Sequence, residues 1–171
     1  DASEIPVVLY NVPGRTGCDL LPDTVAVLSS HENIIGLKES VADESRWQAL
    51  YPLASPGFSL LSGDDETFVR AMIGGAHGVI SVASNAVPAT FARICRYVSE
   101  QNFDAALALD GQLQELYAFL GVEPNPVPIK AIMRMLGFGR GLRLPLLSLS
   151  DDYTGKADEM TDLCKTIEQS M

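Results

Sequence analysis

The chain has 171 residues, 47% of them hydrophobic and 20% charged, an ordinary composition for a globular protein with a sizeable core. A formal net charge of −10 argues against a nucleic-acid surface, which needs clustered Lys and Arg, but it leaves room for a local positive pocket that takes a small anion. No apolar run reaches the ~20 residues of a membrane helix, and Asp1-Ala2-Ser3-Glu4 lacks the basic and apolar pattern of an export signal, so a cytoplasmic location is the default expectation.

In chain order, four short runs rich in β-branched and aliphatic residues each end in polar residues. They are Ile5–Asn11, Asn33–Ser40, Phe58–Asp65 and Gly78–Ser84. Near-continuous apolar runs of this length suit parallel strands buried on both faces. Helical patterns lie between them. Pro22–Ser30 places Pro22 in a first turn with Val25 and Leu28 on one face. Glu44–Ala54 follows Asp43 as N-cap and carries Trp47 and Leu50. Glu66–Ile73 is stopped by Gly74-Gly75. Helices alone follow: Val87–Gln101, Phe103–Leu120, Pro128–Leu136 and Tyr153–Gln169. The order βαβαβαβ, then helices, predicts an α/β fold with four parallel strands. A small doubly wound sheet fits this order. So does half of an eight-stranded barrel, which as a whole needs about 250 residues.

Active sites of such sheets form where strands run out at their C-terminal ends. Lys38 stands at the end of the apolar run Ile34-Ile35-Gly36-Leu37. Desolvation disfavours an ammonium, and a neutral amine is what attack on a carbonyl needs. The alternative is a strand-end lysine paired with Glu39 or another carboxylate. Tyr10 ends the neighbouring run, either as a proton shuttle or as a core aromatic with a hydrogen-bonded tip. The loop Asn11-Val12-Pro13-Gly14-Arg15-Thr16-Gly17 presents Arg15, whose planar fork suits a carboxylate; the residues by themselves favour the alternative, a solvated loop arginine.

Other signals carry less. His31 and His77 are far apart with no metal spacing. Gly74-Gly75-Ala76-His77-Gly78 precedes a strand, whereas a phosphate-cradling loop follows one. Asp64 and Asp65 after Ser62-Gly63 fit a helix N-terminus better than a metal. Cys18, Cys95 and Cys164 form neither a CxxC pair nor a disulfide framework, and are expected to be reduced structural thiols.

Taken together, YNVPGRTG at Tyr10–Gly17, GLKES at Gly36–Ser40, LLSGDD at Leu60–Asp65 and GGAHGVISV at Gly74–Val82 resemble the dihydrodipicolinate synthase family of pyruvate-dependent class I aldolases. EPNPVPIK at Glu123–Lys130 and LRLPL at Leu142–Leu146 continue the resemblance. It implies the C-terminal half of a (β/α)8 barrel, with residues 1–86 as the second half of the barrel. Residues 87–171 would hold the last barrel helix and a C-terminal helical extension. The implied reaction condenses pyruvate with aspartate semialdehyde on the diaminopimelate route to lysine, in a homotetramer and without cofactor or metal.

By the same resemblance Lys38 forms the imine with pyruvate and Tyr10 relays protons. Arg15 clamps the semialdehyde carboxylate, and Gly63 and the Ile80 backbone line the pyruvate pocket. The paired threonines that hold the pyruvate carboxylate, and a tyrosine from a neighbouring subunit, belong to the part of the family pattern outside this chain. The chain alone is therefore expected to be poorly active. Two rival expectations remain. One is a related aldolase acting on N-acetylneuraminate or a keto-deoxy sugar acid, against which Arg15 argues. The other is a non-catalytic half-barrel module.

Overall fold

The computed structural model describes residues 4–171. The chain divides between Ser81 and Val82 into two compact units.

The first unit is a parallel sheet with its helices. Its strands are β1 (Val7–Asn11), β2 (Ile34–Glu39), β3 (Ser59–Ser62) and β4 (Gly78–Val79). They pair in sequential order, each parallel to the next. The helices are α1 (Pro13–Thr16), α2 (Pro22–Leu28), α3 (Glu44–Leu50) and α4 (Phe68–Gly74). Local chemistry sets their limits. Pro22 opens α2, where a missing N–H costs no intrahelical bond. The Asp43 carboxylate accepts from the Arg46 N–H at 2.9 Å and caps α3. Gly75 at φ 128° ends α4.

Register stacks one residue from each of three strands. Leu9 pairs with Leu37, and Leu37 with Leu60. Side chains alternate along a strand, so these three share a face, and Val25, Trp47, Leu50, Phe58 and Ala71 pack on it to form the core of this unit. Leu37 and Leu60 are fully buried. Leu37→Ala is therefore expected to cost about 2–5 kcal/mol through lost burial and the cavity left behind, read as a lower urea midpoint in a transition that stays cooperative.

The opposite face carries Val8, Tyr10, Gly36, Lys38, Ser59 and Leu61, by the same alternation. The expectation of strands buried on both faces does not hold for β1, where Val7 and Val8 are exposed and Tyr10 is 51% exposed. The helices cover one face only, so apolar content alone did not reveal which side of β1 is covered. Some boundaries also differ from expectation. The fourth strand stops at Val79, and the backbone turns into a 3-10 segment over Ala83–Asn85. The loop after β1 contains the helical turn α1, closed by Gly17 at φ 66°. The helix expected over Phe103–Leu120 is interrupted at Gly111–Leu113, where glycine lowers helix propensity.

The second unit is helical: α5 (Pro88–Ser99), α6 (Phe103–Asp110), α7 (Gln114–Leu120), α8 (Val127–Met135) and α9 (Thr154–Gln169). Phe91, Ile94, Leu113, Leu116, Phe119, Ile132 and Met160 are buried. The Glu168 carboxylate on α9 accepts from the Ala89 and Thr90 N–H groups and the Thr90 hydroxyl, at 3.0, 2.8 and 2.6 Å. These are first-turn donors of α5 that the helix itself leaves unpaired. Among the described residues no helix is long and apolar enough to cross a membrane.

Candidate active site

The C-terminal ends of the strands bring the sequence-derived candidates together unevenly. Tyr10 of β1 is the register partner of Lys38 of β2. Both side chains project from the open face, and the Lys38 Nζ lies 4.2 Å from the centroid of the Tyr10 ring, within the range where a ring face attracts a cation. The Tyr10 hydroxyl is 3.5 Å from the Ser40 Oγ, a weak contact at best. Gly63 follows β3, and its N–H donates to the Glu39 carbonyl at 2.7 Å. A Cβ built on Gly63 would stand 2.6 Å from the Lys38 Cε and 2.2 Å from the Ser40 Oγ. The absence of a side chain at 63 is what gives the lysine its place.

Arg15 and Ile80 lie at the same ends of their strands but are less engaged. Arg15 is exposed on α1. The Ile80 N–H donates to the Ser62 carbonyl at 2.8 Å, and its side chain is exposed. Lys38 is half-buried and forms no ion pair among the described residues. Glu39, the partner that the sequence left open for it, points to the other face of the sheet and is fully buried.

There Glu39 anchors a polar network that sequence reasoning missed. Its carboxylate accepts from the Arg46 Nε at 2.7 Å, the Val41 N–H at 2.7 Å, and the Asn11 Nδ2 at 3.0 and 3.1 Å. Arg46 of α3 forks onward to both Asp19 oxygens at 3.0 and 2.8 Å, and to the Leu20 carbonyl at 2.5 Å. The Asn11 amide completes the ring, donating to Asp19 at 3.0 Å and accepting from the Leu20 N–H at 2.9 Å. A buried carboxylate is costly unless paired and hydrogen-bonded; Glu39 has three donors, one of them its charge partner Arg46. Burial by itself would lower the Arg46 pKa, but the hydrogen bonds and charges of Glu39 and Asp19 outweigh it and hold that pKa above the ordinary arginine value. The available signal was Arg46 itself, a charge one residue before Trp47 on the side of α3 that turns inward.

The network makes an acid-sensitivity testable. Arg46, then Asn11, hold the Asp19 carboxyl below its ordinary 3.8 through their hydrogen bonds. A folded pKa below the unfolded one gives stability that is present above the unfolded value and is lost as pH falls through the folded one. Asp19→Asn is expected to lower the urea midpoint at pH 6 and to flatten its decline between about pH 5 and pH 2; parallel curves for variant and wild type would refute this.

Clefts also occur elsewhere, but they do not locate this chemistry. One of about 390 Å³ is lined by Lys130, Arg134 and Ser148 of the helical unit, and Lys38 does not border it.

Comparison with known proteins decides the family. The model of the Dihydrodipicolinate synthetase family matches residues 1–164. The chain belongs to this family. It is 51% identical over 160 residues to the 4-hydroxy-tetrahydrodipicolinate synthase of Stenotrophomonas maltophilia (strain K279a), covering 94% of this chain and 54% of that protein. It is 52% identical over 160 residues to the synthase of Xanthomonas axonopodis pv. citri (strain 306), covering 94% of this chain and 53% of that protein. Among solved structures it superposes on the dihydrodipicolinate synthase of Aquifex aeolicus with a TM-score of 0.88 at 35% identity, over 94% of this chain and 55% of that one. The chloride-inhibited, pyruvate-complexed synthase of Acinetobacter baumannii gives 0.90 at 35% identity, over 96% of this chain and 57% of that one. The chain thus spans about half the length of the relatives it matches. Its four parallel strands correspond to part of the (β/α)8 barrel of those dihydrodipicolinate synthases.

Proposed function

We propose that this chain supplies the imine-forming site of a 4-hydroxy-tetrahydrodipicolinate synthase, which condenses pyruvate with aspartate semialdehyde in lysine biosynthesis. The observation that carries the proposal is the placement of the Lys38 amine over Tyr10 at the strand ends, with the side-chain-free Gly63 beside the lysine chain. A primary amine there adds to the pyruvate ketone and expels water, forming an imine. The protonated imine withdraws electrons, so the methyl group loses a proton and an enamine results. The enamine carbon then attacks the aldehyde carbon, and the aldehyde oxygen takes up a proton.

Each remaining residue has a role in this scheme. The exposed Tyr10 phenol relays protons to and from the imine nitrogen and the attacked oxygens. Arg15 receives the semialdehyde carboxylate on its planar fork. Gly63 leaves room for the pyruvate methyl and carbonyl. The Ile80 N–H is engaged with Ser62, so the Ile80 carbonyl is the backbone group that lines the pyruvate site. The kinship to a synthase solved with pyruvate supports the substrate choice. Residues 1–86 then form the barrel portion, with the last barrel helix and the helical extension in 87–171. The working protein is cytoplasmic and homotetrameric. The 171 residues alone turn over slowly, because the open face of their sheet exposes Val8 and Tyr10.

The test is reduction with borohydride in the presence of pyruvate, on the protein at the full length its gene encodes. A pyruvate-dependent mass adduct that peptide mapping places on Lys38 is expected. Absence of an adduct would sink the imine reading. An adduct combined with turnover of a sugar aldehyde, but not of aspartate semialdehyde, would transfer the chain to the sugar-acid branch.

A further inference from the structure

We infer that Glu39 is a positioning residue for the site: the Asn11–Glu39–Arg46 rung behind the sheet holds Tyr10 against Lys38 on its front. The argument begins with register. Tyr10 pairs with Lys38, and the next pair along the same two strands is Asn11 with Glu39. Alternation puts the first pair on the open face and the second on the covered face. A side-chain bond between Asn11 and Glu39 at 3.0 and 3.1 Å therefore crosses the two strands one residue beyond the reactive pair. A parallel pair can slip or splay at its end, where ladder bonds run out. Here the end is fixed by a fully buried carboxylate with three donors, beside the last ladder bond from the Ser40 N–H to the Asn11 carbonyl at 3.0 Å.

The front of the sheet has no comparable hold. Tyr10 is about half exposed, its hydroxyl contact to Ser40 is long, and Lys38 has no carboxylate partner among the described residues. The geometry of the reactive pair is thus set from behind. Arg46 extends the same hold to the Arg15 segment through its other guanidinium nitrogens, which tie Asp19 and Leu20 at the far end of the segment that Asn11 begins. The two branches act on different substrates. The Glu39 branch orders the imine lysine and its tyrosine; the Asp19 branch orders the approach of Arg15 to the aldehyde. The catalytic consequence rests on the imine proposal; the positional one does not.

The experiment separates them in the protein at the full length its gene encodes. With ¹³C-labelled lysine, the Lys38 ε-methylene, assigned by its loss in Lys38→Arg, is expected upfield of Lys130, Lys156 and Lys165 because the amine it carries lies 4.2 Å from the centroid of the Tyr10 ring. In Glu39→Gln, which keeps the shape but sets an amide donor against Arg46 or Asn11, that shift is expected to collapse while thermal melting stays cooperative. The rate of borohydride-trapped adduct formation is expected to fall about tenfold or more, as for a reacting group misplaced by a fraction of an ångström to an ångström. Asp19→Asn is expected to leave the Lys38 shift and the trapping rate in place and to raise KM for the aldehyde. If Glu39→Gln does not fold, the charge-balanced pair Glu39→Gln with Arg46→Gln is measured by the same criterion. An unchanged Lys38 shift in the folded variant overturns the inference, as does an Asp19→Asn variant that moves the shift as much as Glu39→Gln does. A wild type that shows the shift but traps no pyruvate overturns the imine proposal alone.

Discussion

Lys38→Arg is expected to abolish the pyruvate adduct and to lower kcat on the order of 10³-fold or more, as loss of a covalent nucleophile does. Arginine is the informative replacement because it keeps most of what is not chemical about the lysine. It retains a positive charge and can stack on the Tyr10 ring as the ammonium does at 4.2 Å. What it loses is the amine. A guanidinium stays protonated and delocalised, and forms no imine with a ketone. Stability should therefore change little, and an unchanged urea midpoint beside a lost adduct assigns the defect to chemistry. Full pyruvate trapping in Lys38→Arg would place the imine on another lysine. Only Lys130, Lys156 and Lys165 remain in these 171 residues, all in the helical unit.

That the lysine could be singled out from sequence follows from period-two logic. A charge at the end of an apolar run meets the strand's C-terminal edge whichever face it takes, and the Tyr10 and Lys38 runs proved to be neighbours in register. The same logic, carried one residue further, excludes Glu39 as the partner of Lys38, since adjacent strand residues face opposite ways. What alternation cannot give is the content of the covered face. Asn11, Asp19 and Arg46 are spread over 36 positions, and nothing local marks them as a cluster; only the packing of α3 against the strand ends brings their groups to 2.8–3.0 Å of one another. The strand limits erred for a related reason. Ile5 is apolar and extends the run that predicts β1, yet it is exposed and the strand begins at Val7, because apolar character alone does not fix where ladder pairing starts. Gly111 was readable as a weak point of the long helix, but a single glycine is tolerated in many helices, so its effect depended on tertiary context.

Gly63→Ala is expected to be the most damaging small change at the site: a loss of about 100-fold in adduct formation with the fold intact, comparable to displacing a reacting group by an ångström. The new methyl would meet the Ser40 Oγ at 2.2 Å, the Lys38 Cε at 2.6 Å and the Lys38 Cγ at 3.1 Å. None of these is backbone, so the conflict resolves by moving side chains rather than by opening the sheet. Ser40 can rotate away. Lys38 is the more constrained of the two: its Cγ as well as its Cε is crowded, so rotation about the end of the chain is not enough. The amine must swing off the Tyr10 ring toward the open face. Overpacking in a buried core typically costs 1–3 kcal/mol, and less is expected here because the methyl enters a half-open face. The measurement is the trapping rate beside the urea midpoint: a variant that traps slowly while unfolding near the wild-type midpoint fits displacement of the lysine. One that traps at the wild-type rate would mean that Lys38 reacts from a position other than the one beside Gly63. Adding Ser40→Gly to Gly63→Ala distinguishes the two contacts, since removing the hydroxyl relieves the shorter one and leaves the lysine conflict. If the double variant remains slow, the space that glycine leaves at 63 belongs to Lys38.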